Sequence, residues 1–277
     1  MSATFLEEMA VASLARVRAA RQLVSEAALA ERARSCPAPP PLRLAPGGFD
    51  VIAELKLRSP AAGQLGTSTA GVPERVTAYA RAGAAAVSVL TEPARFDGSL
   101  EHLIEAQAAL ASLGVPVMRK DFLVDPYQVL EARVAGAGGV LVILRLLSRA
   151  ATETLIDCAR SCGLFVLLEA FDASDLELMH ELVATRAGGT TLLAGVNCRD
   201  LTTLEVVPQR LAELAPLLPA GVPHVAESGV ATDTDAQRVA AAGYGLVLVG
   251  SALMRASDPT VLLRSLLAAG RAARGVH

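Results

Sequence analysis

The chain has 277 residues, 52% hydrophobic and 19% charged, with a formal net charge of −3 from 25 basic and 28 acidic side chains. That apolar content excludes a disordered chain, and the near balance of charge excludes a whole-protein field favouring nucleic acid. Only 3% of residues are aromatic and Trp is absent, so the core must be packed with Ala, Val and Leu.

Residues 1–34 read as a helix pair. Phe5, Leu6, Met9, Leu14 and Val17 form one apolar stripe, and Glu7, Glu8, Arg16, Arg18 and Arg21 occupy the other faces. No apolar stretch with a cleavage site marks a secretory signal here. The run 239–254 is broken by Gly243, Gly245 and Gly250, and is shorter than the ~18 apolar residues of a spanning helix. A cytoplasmic protein without a membrane partner is expected. Cys36-Pro-Ala-Pro-Pro-Pro then stops any helix, because proline lacks the amide donor and clashes with the preceding turn.

Beyond an irregular connector one pattern recurs: a short apolar run, a polar loop, an Ala/Leu/Arg-rich helical stretch. The runs are 51–55, 86–90, 116–118, 140–144, 164–168, 192–196, 224–226 and 246–249. Helices are predicted over 72–82, 100–113, 126–135, 150–162 and 234–242, with Gly83, Gly114, Gly136, Gly163 and Gly243 as left-handed caps. Eight apolar strands alternating with helices mean a parallel sheet buried on both faces. The expected fold is therefore α/β, a (β/α)8 TIM barrel over 49–277 behind a helical extension and connector at 1–48, together one structural domain. A doubly wound open sheet is the other arrangement; it usually has fewer strands, and no GxGxxG follows the first run.

In a (β/α)8 barrel chemistry sits at the C-terminal ends of the strands. Those ends carry Glu54 and Lys56, Thr91 and Glu92, Arg119, Lys120 and Asp121, Arg145, Glu169, Asn197 and Arg199, Glu227 and Ser228, then Gly250 and Ser251. Converging on one mouth, such a mixture suits acid/base work on an anionic substrate, since each sign shifts the other's pKa. Gly229 and Gly250 allow close backbone approach, and a helix opening at Ser251 aims N–H groups at a phosphate; Ser59 adds a hydroxyl. Cys36, Cys158, Cys162 and Cys198 lack metal-ligand spacing and read as small buried hydrophobes in a reducing compartment. His102 and His180 fall on helices as surface groups, His224 opens a strand at the end away from the chemistry, and His277 is terminal.

These residues resemble the indole-3-glycerol phosphate synthase family. The likeness rests on Ile52-Ala-Glu-Leu-Lys-Leu-Arg-Ser-Pro, Val87-Ser-Val-Leu-Thr-Glu with Phe96-Asp-Gly-Ser, and Pro116-Val-Met-Arg-Lys-Asp-Phe-Leu-Val-Asp-Pro-Tyr-Gln. Leu168-Glu-Ala, Gly195-Val-Asn-Cys-Arg-Asp-Leu, Ala226-Glu-Ser-Gly-Val and Val249-Gly-Ser-Ala-Leu-Met-Arg extend it over residues 3–267. The resemblance implies ring closure, decarboxylation and dehydration of 1-(2-carboxyphenylamino)-1-deoxyribulose 5-phosphate, in tryptophan biosynthesis, with no cofactor and no metal. It implies Lys120 as general acid on the ketone, Glu169 in the later loss of hydroxyl and proton, and Lys56 on the substrate carboxylate. Glu54, Asn197 and Glu227 would orient the amine and hydroxyls, with Arg199 and Ser228 in support. Ser59, Gly229, Gly250 and Ser251 would hold phosphate, while Phe96, Phe122, Leu141 and Leu204 would form the slot for the aromatic ring.

The chain departs from the family pattern at Leu57, Ala61 and Ala62, where basic residues or Ser-Lys are usual; Arg58 stands nearby as a partial substitute. Cys198 replaces a common Asn, and strand alternation turns it toward the helix layer. The alternative readings are another phosphate-binding barrel enzyme, a sugar-phosphate isomerase or a Schiff-base aldolase using Lys120, and a catalytically idle barrel serving in an assembly. A small phosphorylated molecule is the expected partner, with no nucleic acid, and the chain is expected to be a monomer or weak homo-oligomer.

Overall fold

A computed structural model describes residues 4–46, 48–60, 63–65, 71–186, 189–201 and 203–275. Ala61, Ala62 and His277 lie outside the described residues. Two helices, α1 (Phe5–Leu23) and α2 (Glu26–Ser35), precede the first strand. Thr4 opens α1 with a capping box to Glu7, and Ser25 caps α2 through the Ala28 amide, so each helix starts where a side-chain acceptor replaces a missing backbone partner. Met9 and Val17 of the predicted stripe are buried, but Leu14 is 37% exposed and Ser13 takes the inward place.

Eight parallel strands close into a barrel: β1 (Asp50–Leu55), β2 (Ala86–Leu90), β3 (Val117–Lys120), β4 (Gly139–Ile143), β5 (Phe165–Ala170), β6 (Leu192–Asn197), β7 (His224–Glu227) and β8 (Leu246–Val249). β1 pairs with both β2 and β8, which removes the open edges of a doubly wound sheet. The helices around it are α3 (Val72–Ala82), α4 (Pro93–Phe96), α5 (Leu100–Leu110), α6 (Pro126–Val134), α7 (Arg149–Ser161), α8 (Ala173–Arg186), α9 (Gln209–Leu214), α10 (Asp233–Ala241), α11 (Ser251–Arg255) and α12 (Pro259–Arg274). The residues predicted as helix caps, Gly83, Gly114, Gly136, Gly163 and Gly243, all have positive φ, where a Cβ would be strained.

Strand alternation divides the core in two. Ile52, Met118, Leu141, Leu167, Leu193, Val225 and Leu248 fill the barrel interior, while Val51, Ala53, Val87, Val140, Val166 and Val247 pack against the helices. Cys198 belongs to the helix-facing layer, as alternation predicted. Cys36, Cys158 and Cys162 are half-buried rather than buried: Cys36 caps the end of α2, and Cys158 and Cys162 lie at the end of α7. His180 is exposed and its ring contacts the Leu217 carbonyl, whereas His224 bonds to Pro219 at the start of β7.

Helix α1 crosses the loop that follows β3. Ser13 Oγ donates to the Phe122 carbonyl at 2.5 Å and accepts from Gln128 Nε2 at 2.8 Å. Arg16 reaches the fully buried carboxylate of Asp121 at 2.7 Å, and Arg21 pairs with Asp125 at the same distance. Among the described residues no helix is long and apolar enough to cross a membrane.

Candidate active site

Because β1, β3, β5, β6 and β7 are parallel and in register, their last inward side chains meet over one opening. Ile143 stands opposite Glu169, Glu169 opposite Gly195, and Asn197 opposite Glu227. They line a cavity of about 580 Å³, a volume suited to a small organic ligand.

Lys120 occupies the floor. Its Nζ lies 3.3 Å from Glu227 Oε2 and 3.5 Å from Glu169 Oε1. Asn197 Nδ2 donates to the same Glu169 oxygen at 2.6 Å, and its Oδ1 accepts from Ser228 Oγ at 2.9 Å and the Arg199 amide at 3.0 Å. Lys56 pairs with Glu54 at 2.6 Å. Gly195 and Gly250 are needed for these approaches: a Cβ would run into Glu227 at the first and Glu54 at the second. Burial by itself would lower the pKa of Lys120, but the surrounding Glu169, Glu227 and Glu54 outweigh it and hold the ammonium above its ordinary range. Burial pushes Glu227 up to about 8; Glu169 adds to the rise and Lys120 opposes it. Its Oε1 has no hydrogen-bond partner among the described residues.

One wall is aromatic. Phe122 meets Phe5 edge-on at 5.8 Å and Phe96 at 6.1 Å between centroids, and Leu141 continues the surface. Phe171, the next inward position after Glu169, also faces the cavity, with the Arg145 guanidinium 4.6 Å from its ring centre. The opposite wall consists of Ser59, Ser228, Gly229, Gly250 and Ser251, with Arg199 and Leu204 between the two. Leu204 and Ser228 hold positive φ of 63° and 68°, a conformation costing on the order of 1–3 kcal/mol that concentrates at binding sites.

All the side chains singled out for the site from sequence thus border one cavity. Of the other strand-end groups, Asp121 lines it too, whereas Thr91, Glu92, Arg119 and Arg145 do not. Arg119 points into the helix layer, bonded to Thr91, Asp121 and Glu131, and Glu92 caps α4. Arg145 turns aside to Asp172 and Asp175. Arg58 pairs with Asp97 at 3.6 Å and is absent from the cavity lining. Sequence reasoning missed Phe5, Leu6, Phe171 and Arg255, all of which line the cavity. The two-residue step from Glu169 to Phe171 was a usable signal; for Phe5 and Leu6 there was only a helix stripe. No group of three or more His, Cys, Asp or Glu able to hold a metal ion occurs among the described residues.

The family model for indole-3-glycerol phosphate synthase matches residues 6–266. The chain belongs to the indole-3-glycerol phosphate synthase family. It is 41% identical over 271 residues to the indole-3-glycerol phosphate synthase of Mycolicibacterium gilvum, covering 97% of this chain and 96% of that one. Against the synthase of Micrococcus luteus it is 42% identical over 264 residues, covering 92% and 93%. Among solved structures, 3-hexulose-6-phosphate synthase from Salmonella typhimurium superimposes with a TM-score of 0.59 at 14% identity, over 80% of this chain and 98% of that one. Thiamine phosphate pyrophosphorylase from Pyrococcus furiosus gives 0.57 at 18% identity, over 82% and 96%. These two likenesses concern the fold alone; the sequence relatives carry the assignment to the synthase family, and the isomerase and aldolase readings fall away.

Proposed function

We propose that this mouth performs the family's ring closure on 1-(2-carboxyphenylamino)-1-deoxyribulose 5-phosphate, with Lys120 as the general acid. The observation that carries this assignment is Lys120 Nζ held 3.3 Å from Glu227 and 3.5 Å from Glu169, between an aromatic wall and a Gly-Ser wall. An ammonium held above its ordinary range by the glutamates around it, Glu169 foremost, is a proton source at neutral pH, and the carbonyl oxygen is where that proton is needed.

The substrate's ring rests against Phe5, Phe96, Phe122 and Leu141, with Leu204 at its edge. Its phosphate sits at Ser59, Gly229, Gly250 and Ser251, and its carboxylate meets Lys56. Binding both ends folds the flexible sugar so that ring and carbonyl meet. Orientation of this kind is worth ~7–11 kcal/mol of barrier. The ring carbon that bears the carboxylate then bonds to the ketone carbon. The carbonyl electron pair moves to oxygen, which takes the Lys120 proton. Loss of carbon dioxide returns its bonding pair to the ring, and Glu169 assists departure of the hydroxyl with a proton as water. Asn197 fixes Glu169, while Glu54 and Glu227 orient the amine and hydroxyls; Arg199 and Ser228 hold the loops beneath them. None of these three steps transfers electrons to an acceptor, so no redox cofactor enters.

The test is direct. Purified protein given the synthetic substrate is expected to form product with indole fluorescence, seen without interference because the chain has no Trp. Lys120→Ala should lower kcat by about a thousandfold or more; wild-type activity in this variant refutes the role. We further propose that residues 1–48 and the barrel form one unit, cytoplasmic and monomeric or weakly self-associating. A sedimentation profile over a range of concentrations checks the last point.

A further inference from the structure

The cations lining the cavity differ in whether they are already engaged. Lys56 is held by Glu54, Lys120 by Glu227 and Glu169, and the Arg199 guanidinium donates to the Leu204 carbonyl at 2.6 Å. Arg255 also lines the cavity, yet it makes no hydrogen bond or ion pair among the described residues. It is exposed, and the first turn of its helix carries no acid.

Arg255 is the last residue of α11, four positions after Ser251. Positions i and i+4 share a helix face, and helical side chains lean toward the N-terminus. The long Arg255 side chain therefore runs back along the face that carries Ser251 and Ala252, both of which line the cavity. At the near end of that face stand Gly229, Gly250 and Ser251. These supply backbone amides and the Ser251 hydroxyl but no formal charge. A phosphate dianion placed there has donors beneath it and requires a cation above.

We propose that Arg255 is a phosphate-anchoring residue, closing from the rim a cradle whose base is Gly229, Gly250 and Ser251. The inference rests on the phosphate reading of that cradle. A guanidinium suits the role because its planar fork matches two phosphate oxygens and its charge is permanent. Being exposed and uncommitted, it also meets the dianion early and draws it toward the mouth, an effect that salt should weaken.

The experiment uses the full chain with inorganic phosphate as probe, competing against the substrate. In Arg255→Ala the KM and the phosphate inhibition constant should each rise about tenfold, with a smaller fall in kcat. Arg255→Lys should recover most of the loss. The KM of the wild type should climb more steeply with sodium chloride than that of Arg255→Ala. The variant should melt at the wild-type temperature without phosphate but lose most of the upward shift that phosphate gives the wild type. Ser251→Asp is the control for the cradle, since a carboxylate there repels the anion. If Ser251→Asp weakens phosphate competition and Arg255→Ala leaves it unchanged, Arg255 is only a solvated rim arginine and the inference is overturned. If Ser251→Asp leaves it unchanged, the cradle is misplaced and the inference falls with it.

Discussion

At the floor of the cavity the polar side chains stand on strands or directly after them and answer to one another; at the rim the lining side chains come from loops and helices and share no such network. Lys120, Glu169, Asn197 and Ser228 form a continuous chain of contacts at 2.6–3.5 Å. Phe5, Phe171 and Arg255 belong to α1, to the turn after β5 and to α11. The floor fixes charge where bonds change, so a fault there should appear in kcat. The rim selects and orients, so a fault there should appear in KM. A floor substitution that altered KM alone would break this division.

After Lys120 itself, the largest effect is expected at Glu169. Replacing it with Gln keeps the shape and the Asn197 contact but removes the charge 3.5 Å from Lys120. Turnover should fall about 10²–10³-fold with KM changed little, measured by steady-state product fluorescence. Glu227 sharpens the comparison through pH. Its carboxyl is raised from 4.5 to about 8, so between these values the folded chain keeps a proton that the unfolded chain releases. Its contribution to stability is thus fully present below pH 4.5 and is lost as pH rises toward 8. Glu227→Gln should be more stable than wild type at the upper end of this window, by on the order of 2 kcal/mol, and lose that advantage at the lower end. Denaturant melts at both pH values check this; parallel profiles would contradict it.

Between floor and rim lies the docking of α1. Ser13→Ala would leave the buried Phe122 carbonyl and Gln128 amide each short of a partner, costing about 1–3 kcal/mol. Since Phe122 follows Lys120 by two residues, a loosened loop should also raise KM about threefold through the ring wall. Urea unfolding and steady-state assays on one preparation read both effects.

Much of the floor was legible because strands have a period of two and the chemistry of a barrel collects at one end of them. Glu54, Lys120, Glu169, Asn197 and Glu227 each close an apolar run, and each faces inward. The same rule over-reached at Arg119, one position out of phase: its side chain belongs to the helix layer. Arg145 lies past the end of β4 in a short helical turn, where strand phase no longer holds, and pairs with Asp172 and Asp175. The rim was less legible for a different reason. Ser13 and Phe122 are separated by 109 residues, and nothing local in either segment announces the contact that carries Phe5 and Leu6 to the mouth. Helix and strand periodicities are local signals; docking is decided by complementary groups that meet only after the barrel has formed. The Pro-rich stop, the strand ends and the glycine caps could be read, whereas the partner of each free face could not.

The smallest effect is expected at Phe171. Its ring is 3% exposed, faces the cavity and lies under Arg145, whose guanidinium is also fixed by Asp175 at 2.6 Å. Phe171→Leu removes the cation–π contact, worth about 0.5–1 kcal/mol at a partly exposed site. It keeps an apolar side chain at the position and leaves the Asp175 ion pair in place. Melting should shift by only ~2 °C, and KM should rise about threefold while kcat holds. If Phe171 is only packing for Arg145, Arg145→Gln and Phe171→Leu should lower stability together and leave KM alone. A rise in KM confined to Phe171→Leu separates the two, because only the ring, and not the guanidinium, borders the space the substrate fills.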